Sequence, residues 1–198
     1  MTKIFLIRHG ICDSVDSKLN GRTLGVHLNK QGREQVKALS QLFVNTPLNH
    51  IVSSPLERAV ETAETIGLSQ DLKVSTDESF NEIDFGKWTG KSFEDLDEDP
   101  LWQRFNSFRE MVRAPDGEMM IEVQSRQVQK VEELRKNYSG GNIAIVGHSD
   151  PLKAILCYYG GIDLGSMHRL TIDTASVSVL DIGDEYVEIS LINYTGRL

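Results

Sequence analysis

Two short apolar runs constrain this chain more than any other feature. Ile4-Phe5-Leu6-Ile7 is unbroken and rich in β-branched and aromatic residues, and Ile143-Ala144-Ile145-Val146 is its counterpart near the other end. Each reads as a strand buried on both faces of a parallel sheet. Each also ends abruptly in polar chemistry, as Arg8-His9-Gly10 and as Gly147-His148-Ser149. In open α/β sheets, ligands gather where strands stop at their carboxyl ends. Parallel strands therefore bring both histidines to one sheet edge.

The stretches between these strands alternate between helix-like and strand-like patterns, which predicts βαβ units and a mainly parallel sheet. Asn29 is placed to cap a helix reaching about Val44, with Val36, Leu39, Leu42 and Phe43 as its stripe. His50 to Ser53 reads as a second strand. Ser54 and Glu57 fit a capping box with Pro55 at the first helical position, ahead of a helix that stops at Gly67. Its apolar face is Leu56, Ala59, Val60, Ala63 and Ile66. Lys73 to Ser75 reads as a third strand, and Asn81 to Gly90 as a loop. Asp99-Pro100 opens a helix with Leu101, Phe105, Phe108 and Val112 on one face and Trp102 nearby. A further helix, from about Glu118 to Asn137, uses Ile121, Val128, Val131 and Leu134. Asp150-Pro151 starts an apolar helix that ends at Gly160-Gly161. Thr174 to Ile182 and Tyr186 to Asn193 alternate apolar and polar residues around Gly183-Asp184, as a closing hairpin with antiparallel pairing does. The acidic run from Glu94 to Asp99 reads as a solvated surface.

Bulk properties narrow the function. A length of 198 residues fits one domain. The net charge of −8 argues against a nucleic-acid partner. No apolar run approaches the ~20 residues that span a bilayer, so no membrane partner is expected. The two cysteines, Cys12 and Cys157, show no paired spacing, and strand-like sequence begins at once. A reduced, cytoplasmic setting is the expectation. An anionic substrate then needs a local cationic pocket within a globally acidic protein.

The strand ends supply one. His9 and His148 end two strands, Arg8 adjoins His9, and Arg58 sits in the first turn of the helix after His50–Ser53. Guanidinium forks match phosphate oxygens, and helix N-termini favour anions. Gly10 allows close backbone approach. A neutral imidazole attacks phosphorus directly and carries the phosphoryl group. The departing oxygen then needs a proton, which a carboxylic acid kept neutral by its surroundings can give. Glu82 is a candidate, with Ile83, Phe85 and Trp88 to desolvate it, and Asp84 competes. Spacing alone does not separate the two.

These motifs resemble the histidine phosphatase superfamily, also called phosphoglycerate-mutase-like, over nearly the whole chain. They stand here as Ile7-Arg8-His9-Gly10, Ser53-Ser54-Pro55-Leu56-Glu57-Arg58-Ala59, the run from Glu82 to Gly90, Asp116-Gly117-Glu118 and Val146-Gly147-His148-Ser149. The resemblance implies a three-layer α/β/α fold with a six-stranded, mostly parallel mixed sheet in a single domain, residues 1–198. A variable lid would lie at about 83–117. It implies that His9 becomes the phosphohistidine. Arg8, Arg58 and His148 would hold the phosphoryl group, with Glu82 rather than Asp84 as general acid. It implies no metal or other cofactor, which agrees with histidines that show no HxH or HxxxH spacing. The expected activity is hydrolysis of a phosphomonoester of a small metabolite by a monomer or homodimer. A mutase that returns the phosphoryl group, and a non-catalytic phosphate-binding module, are the alternatives. A modest lid disfavours the mutase, and the presence of His9, Glu82 and His148 disfavours the module.

The chain departs from the family after Gly10. Ile11-Cys12-Asp13-Ser14-Val15 replaces a commoner run, with Cys12 in place of a hydroxyl and Val15 in place of a phosphate-binding asparagine. Each lost neutral hydrogen bond is worth roughly 0.5–1.5 kcal/mol. Arg22, in the Gly21-Arg22-Thr23 turn, is the candidate substitute phosphate contact. Cys12 lacks the Cys-x5-Arg spacing of thiol phosphatases, since Lys18 stands at that distance.

Overall fold

A computed structural model describes residues 1–13 and 17–196. Ser14 and Val15 lie outside the described residues. The elements in chain order are β1 (Thr2–Arg8), α1 (Lys30–Ser40), β2 (His50–Ser53), α2 (Glu57–Gln70), β3 (Val74–Thr76), α3 (Phe93–Asp97), α4 (Pro100–Ser107), α5 (Met120–Asn137), β4 (Asn142–Gly147), α6 (Ser149–Gly160), β5 (Val177–Ile182) and β6 (Val187–Tyr194).

The six strands form one mixed sheet in the order β3-β2-β4-β1-β5-β6. β3, β2, β4 and β1 pair in parallel, whereas β5 runs antiparallel to both β1 and β6. The apolar runs of β1 and β4 lie side by side, with Arg8 in register with Gly147. Strand pleat sends alternate residues to opposite faces. Phe5 and Ile7 pack with Val36 and Leu39 of α1 and with Ala59, Ala63 and Ile66 of α2. Ile4 and Leu6 pack with Val131 and Leu134 of α5 and Leu152, Ile155 and Leu156 of α6. Helices thus cover both faces, giving the three layers.

A third apolar cluster gathers aromatic rings. Phe85, Trp88, Trp102 and Phe105 meet ring to ring at 5.2–6.2 Å between centroids. The indole of Trp88 donates to Asp99 Oδ2 at 2.9 Å, and Asp99 also caps α4 through the Leu101 amide. One residue of the acidic run therefore joins core to helix cap, while Glu94, Asp95, Asp97 and Glu98 are exposed.

Several helix details differ from the sequence reading. α1 ends at Ser40 and continues as a 3₁₀ turn, leaving Leu42 exposed. α2 starts at Glu57 with Leu56 as its N-cap, so Ser54 is no capping residue. That helix runs through Gly67 and stops at Asp71, in the left-handed conformation with φ 53°. On α4 the buried side chains are Trp102 and Phe105, while Leu101 and Phe108 face outward. On α5, Met120 and Val123 point inward, and Ile121 is exposed. Leu42, Leu101 and Ile121 each stand one position away from a buried residue of the inward face.

Candidate active site

Three adjacent parallel strands, β2, β4 and β1, end at one edge, and the residue after each strand faces the same place. His9 follows Arg8 and extends the ladder, its amide donating to the Gly147 carbonyl at 3.0 Å. His148 follows Gly147. Ser54 follows Ser53, its amide donating to the Val146 carbonyl at 2.9 Å. Gly10 is needed for packing, since a Cβ there would lie 2.8 Å from the Gly32 carbonyl oxygen of α1.

His9 is buried, and its Nδ1 lies 2.7 Å from the Gly10 carbonyl oxygen. A carbonyl only accepts, so Nδ1 carries the proton and Nε2 keeps its lone pair. Burial, reinforced by Arg58 and Arg8, lowers the pKa to about 3. The imidazole is therefore neutral and nucleophilic at physiological pH. The His148 ring stands 5.1 Å away, centroid to centroid, with no side-chain exposure. Its Nε2 is 2.8 Å from Ser54 Oγ, and Ser54 donates in turn to Asn81 Oδ1 at 3.1 Å. That direction makes Nε2 the donor and leaves Nδ1 as the free end of the ring. Burial and the neighbouring Arg58 also push His148 well below the usual histidine range.

Three buried nitrogens around this point have no hydrogen-bond partner among the described residues: Arg8 Nε, Arg58 Nη1 and His148 Nδ1. Buried polar groups are nearly always satisfied, so a cluster of orphans marks a ligand position. The other arms of both guanidiniums are tied down. Arg8 Nη1 donates to the Ile172 carbonyl at 2.6 Å, and Arg58 Nη2 to the Gly21 carbonyl at 2.8 Å. Two fixed cations beside a buried imidazole suit a phosphoryl group.

Arg8, His9, Arg58 and Glu82 line a cavity of about 170 Å³, with Phe85 and Asp150 at its wall. That is below the ~300–1,000 Å³ of drug-sized sites and matches a small metabolite. Glu82 Oε2 is 3.9 Å from His148 Nδ1. Burial, with a contribution from the charge of Asp150, raises the Glu82 pKa to about 7, against the Ile83 amide that bonds its Oε1. Asp84 is partly exposed and accepts from the Gly86 amide, outside the cavity lining. The geometry thus favours Glu82 over Asp84 as the acid.

Two residues singled out in the sequence lie elsewhere. Arg22 does not line the cavity. Its Nε donates to the Glu82 carbonyl at 2.9 Å, and its Nη2 to Glu118 Oε2 at 2.9 Å. Its Nε and Nη2 are committed to those oxygens, and its Nη1 lies 3.9 Å from Asp84 Oδ2. Cys12 is not in the cavity wall either. It packs in the α1–α2 core, where burial pushes its thiol up to about 11. Cys157 is likewise buried. No group of three or more His, Cys, Asp or Glu among the described residues is arranged to hold a metal ion.

Sequence reasoning missed Asp150, which ion-pairs with Arg109 and with Lys153, and Arg126, which reaches the back of Glu82. Asp150 was visible only as a helix start, and Arg126 lies mid-helix with no local signal. The true partner of Ser54 was hidden because a cap is the commoner role for Ser before Pro.

Comparison with known proteins shows what the chain resembles. The chain is 31% identical to phosphoserine phosphatase 1 of Hydrogenobacter thermophilus, covering 100% of this chain and 95% of that protein. It is 30% identical to a bifunctional protein of Mycobacterium tuberculosis, of which it spans 55%. A phosphoserine phosphatase variant from Entamoeba histolytica, solved in complex with phosphoserine, superposes with a TM-score of 0.88 at 25% identity over 98% of each chain. The YhfR protein of Bacillus stearothermophilus shares the fold with a TM-score of 0.91 at 24% identity, over 96% of each chain. The family model of the histidine phosphatase superfamily, branch 1, matches residues 4–195, and the chain belongs to that superfamily.

Proposed function

We propose that the protein hydrolyses phosphomonoesters of small metabolites through a phosphohistidine at His9. The observation that carries this reading is the convergence of three nitrogens without a partner among the described residues, on Arg8, Arg58 and His148, beside a neutral His9 and a raised-pKa Glu82. In the first half-reaction, the His9 Nε2 lone pair forms the N–P bond as the bond from phosphorus to the ester oxygen breaks. The protonated Glu82 carboxyl gives its proton to that oxygen, and the alcohol departs. In the second, the Glu82 carboxylate takes a proton from water as the water oxygen bonds to phosphorus. The N–P bond breaks, its electron pair returns to Nε2, and inorganic phosphate leaves. Charge on the transferring group is met by Arg8, Arg58 and a protonated His148, which is positioning and electrostatic stabilisation.

Phe85 and Phe93 border the cavity, and Ser92 pairs through an isolated backbone bridge with Lys18, another lining residue, which supports a lid role for the segment at about 83–117. The relatives that act on phosphoserine make it the first substrate to test. Two buried free thiols support a reducing, cytoplasmic setting. No helix among the described residues is long and apolar enough to cross a membrane.

The test is phosphate release from a panel headed by phosphoserine and p-nitrophenyl phosphate, with a chelator present. Wild type is expected to turn over, His9→Ala to lose turnover by at least ~10³-fold, and rapid quenching to trap an acid-labile phosphoenzyme. Full activity in His9→Ala, or isomerisation of phosphoglycerates without phosphate release, contradicts the reading.

A further inference from the structure

The Glu82 carboxyl belongs to a stretch, residues 81–85, that is neither helix nor strand. No ladder fixes its backbone. A general acid must nevertheless sit within hydrogen-bond reach of the departing oxygen, ~2.6–3.2 Å. Something else has to set its position.

That support is a charged cluster behind the cavity. The Glu82 carbonyl oxygen accepts from two guanidiniums, Arg22 Nε at 2.9 Å and Arg126 Nη2 at 3.2 Å. Glu118 braces both. Its Oε2 accepts from Arg22 Nη2 at 2.9 Å and from Arg126 Nη2 at 3.1 Å, and its Oε1 accepts from Arg126 Nε at 3.0 Å. Arg126 also donates to the Ser79 carbonyl at 2.6 Å, on the other side of Glu82. Glu118 Oε2 accepts from the Asp84 amide at 3.0 Å, and the Glu118 amide donates to the Asp84 carbonyl at 2.8 Å. The backbone from Ser79 to Asp84 is thus held on both sides of Glu82. Between Glu82 and Asp84, the fully buried Ile83 side chain anchors the same segment in the apolar cluster.

The arrangement separates holding from charging. Both arginines meet the Glu82 carbonyl, not its carboxyl, and Glu118 offsets one of the two positive charges. The acid is gripped from behind while its proton-bearing end faces the cavity.

We infer that Glu118 and Arg126, with Arg22, form a positioning clamp that sets where the Glu82 carboxyl meets the departing oxygen. None of the three is a catalytic residue, since none touches the reacting atoms. The inference rests on the proposed role of Glu82 and deepens it. Misplacement of a reacting group by ~1 Å can cost ~10²-fold. The loss should fall on esters whose leaving group needs a proton.

The test compares kcat/KM for phenyl phosphate and p-nitrophenyl phosphate in wild type, Arg126→Gln and Glu118→Gln, with folding checked by thermal melting. kcat/KM reports steps up to departure of the phenol. p-Nitrophenol leaves readily without protonation, whereas phenol depends on the acid. The expected result is that each variant loses at least ~10-fold more on phenyl phosphate than on p-nitrophenyl phosphate. Equal losses on both esters assign the cluster to fold stability alone and overturn the inference, as does no loss on either. Should Arg126→Gln not fold, Arg126→Lys keeps a donor and is read by the same ratio. A wild type that releases phosphate from no member of the panel refutes the proposed function itself, so the two failures are distinguishable.

Discussion

Glu82→Gln tests the central electrostatic claim without relying on activity. Burial, with the charge of Asp150, raises the Glu82 carboxyl from 4.5 to about 7. A shift of that size corresponds to about 3 kcal/mol between the two protonation states. The folded protein holds the proton across a range in which the unfolded chain has lost it. The native state therefore binds more protons than the unfolded state between pH 4.5 and about 7, and stability falls as pH rises through that window. Below it both states are protonated, and above it the cost is complete. Glutamine keeps the shape and has no proton to lose. In phosphate-free buffer, the stability of Glu82→Gln relative to wild type should rise by about 2–3 kcal/mol between pH 5 and pH 8. Urea unfolding of both proteins at the two pH values measures the change, and any pH-independent packing difference cancels. A relative stability that stays flat or declines with pH refutes a raised Glu82 pKa. A rise accompanied by full phosphatase activity in the variant would place the strained carboxyl correctly and its role as acid wrongly.

Arg58→Ala removes one of the two fixed guanidiniums and should lower kcat/KM by about 10²–10³-fold, together with weaker inhibition by inorganic phosphate. Unchanged product inhibition would place Arg58 outside the phosphoryl pocket. Ser54→Ala frees Nε2 of His148 from its 2.8 Å contact and should cost about 1 kcal/mol of transition-state stabilisation, read as kcat/KM. An unaffected rate there shows that packing alone orients the ring. Phe105→Ala empties the centre of the aromatic cluster and should destabilise by about 3–5 kcal/mol in urea unfolding. A loss below ~1 kcal/mol contradicts a shared core for that cluster.

The sequence by itself determined the sheet and the polar residues that close its central strands. Apolar runs at Ile4–Ile7 and Ile143–Val146 are a local property, and burial on both faces of a parallel sheet demands them. His9 and His148 follow those runs directly, so placing the strands placed the histidines. The register of Arg8 with Gly147 then brings them to one edge. Arg58 was legible because it lies in the first turn of the helix after β2.

Only the tertiary structure decided what surrounds them. Arg22 reads equally well as a phosphate ligand or a loop cation, and its partner Glu118 lies 96 residues away. Asp84 and Glu82 differ by two positions, and packing alone separates the buried acid from the partly exposed one. Ser54 looks like a helix cap until its contact with His148, 94 residues on, shows its use. Cys12 adjoins the reactive segment in sequence yet faces the α1–α2 core. Burial and long-range hydrogen bonds set protonation and orientation, and both depend on groups brought together only by folding. The strands that carry His9 and His148 could be read locally, but the neutrality of His9 and the raised pKa of Glu82 arise from the assembled cavity.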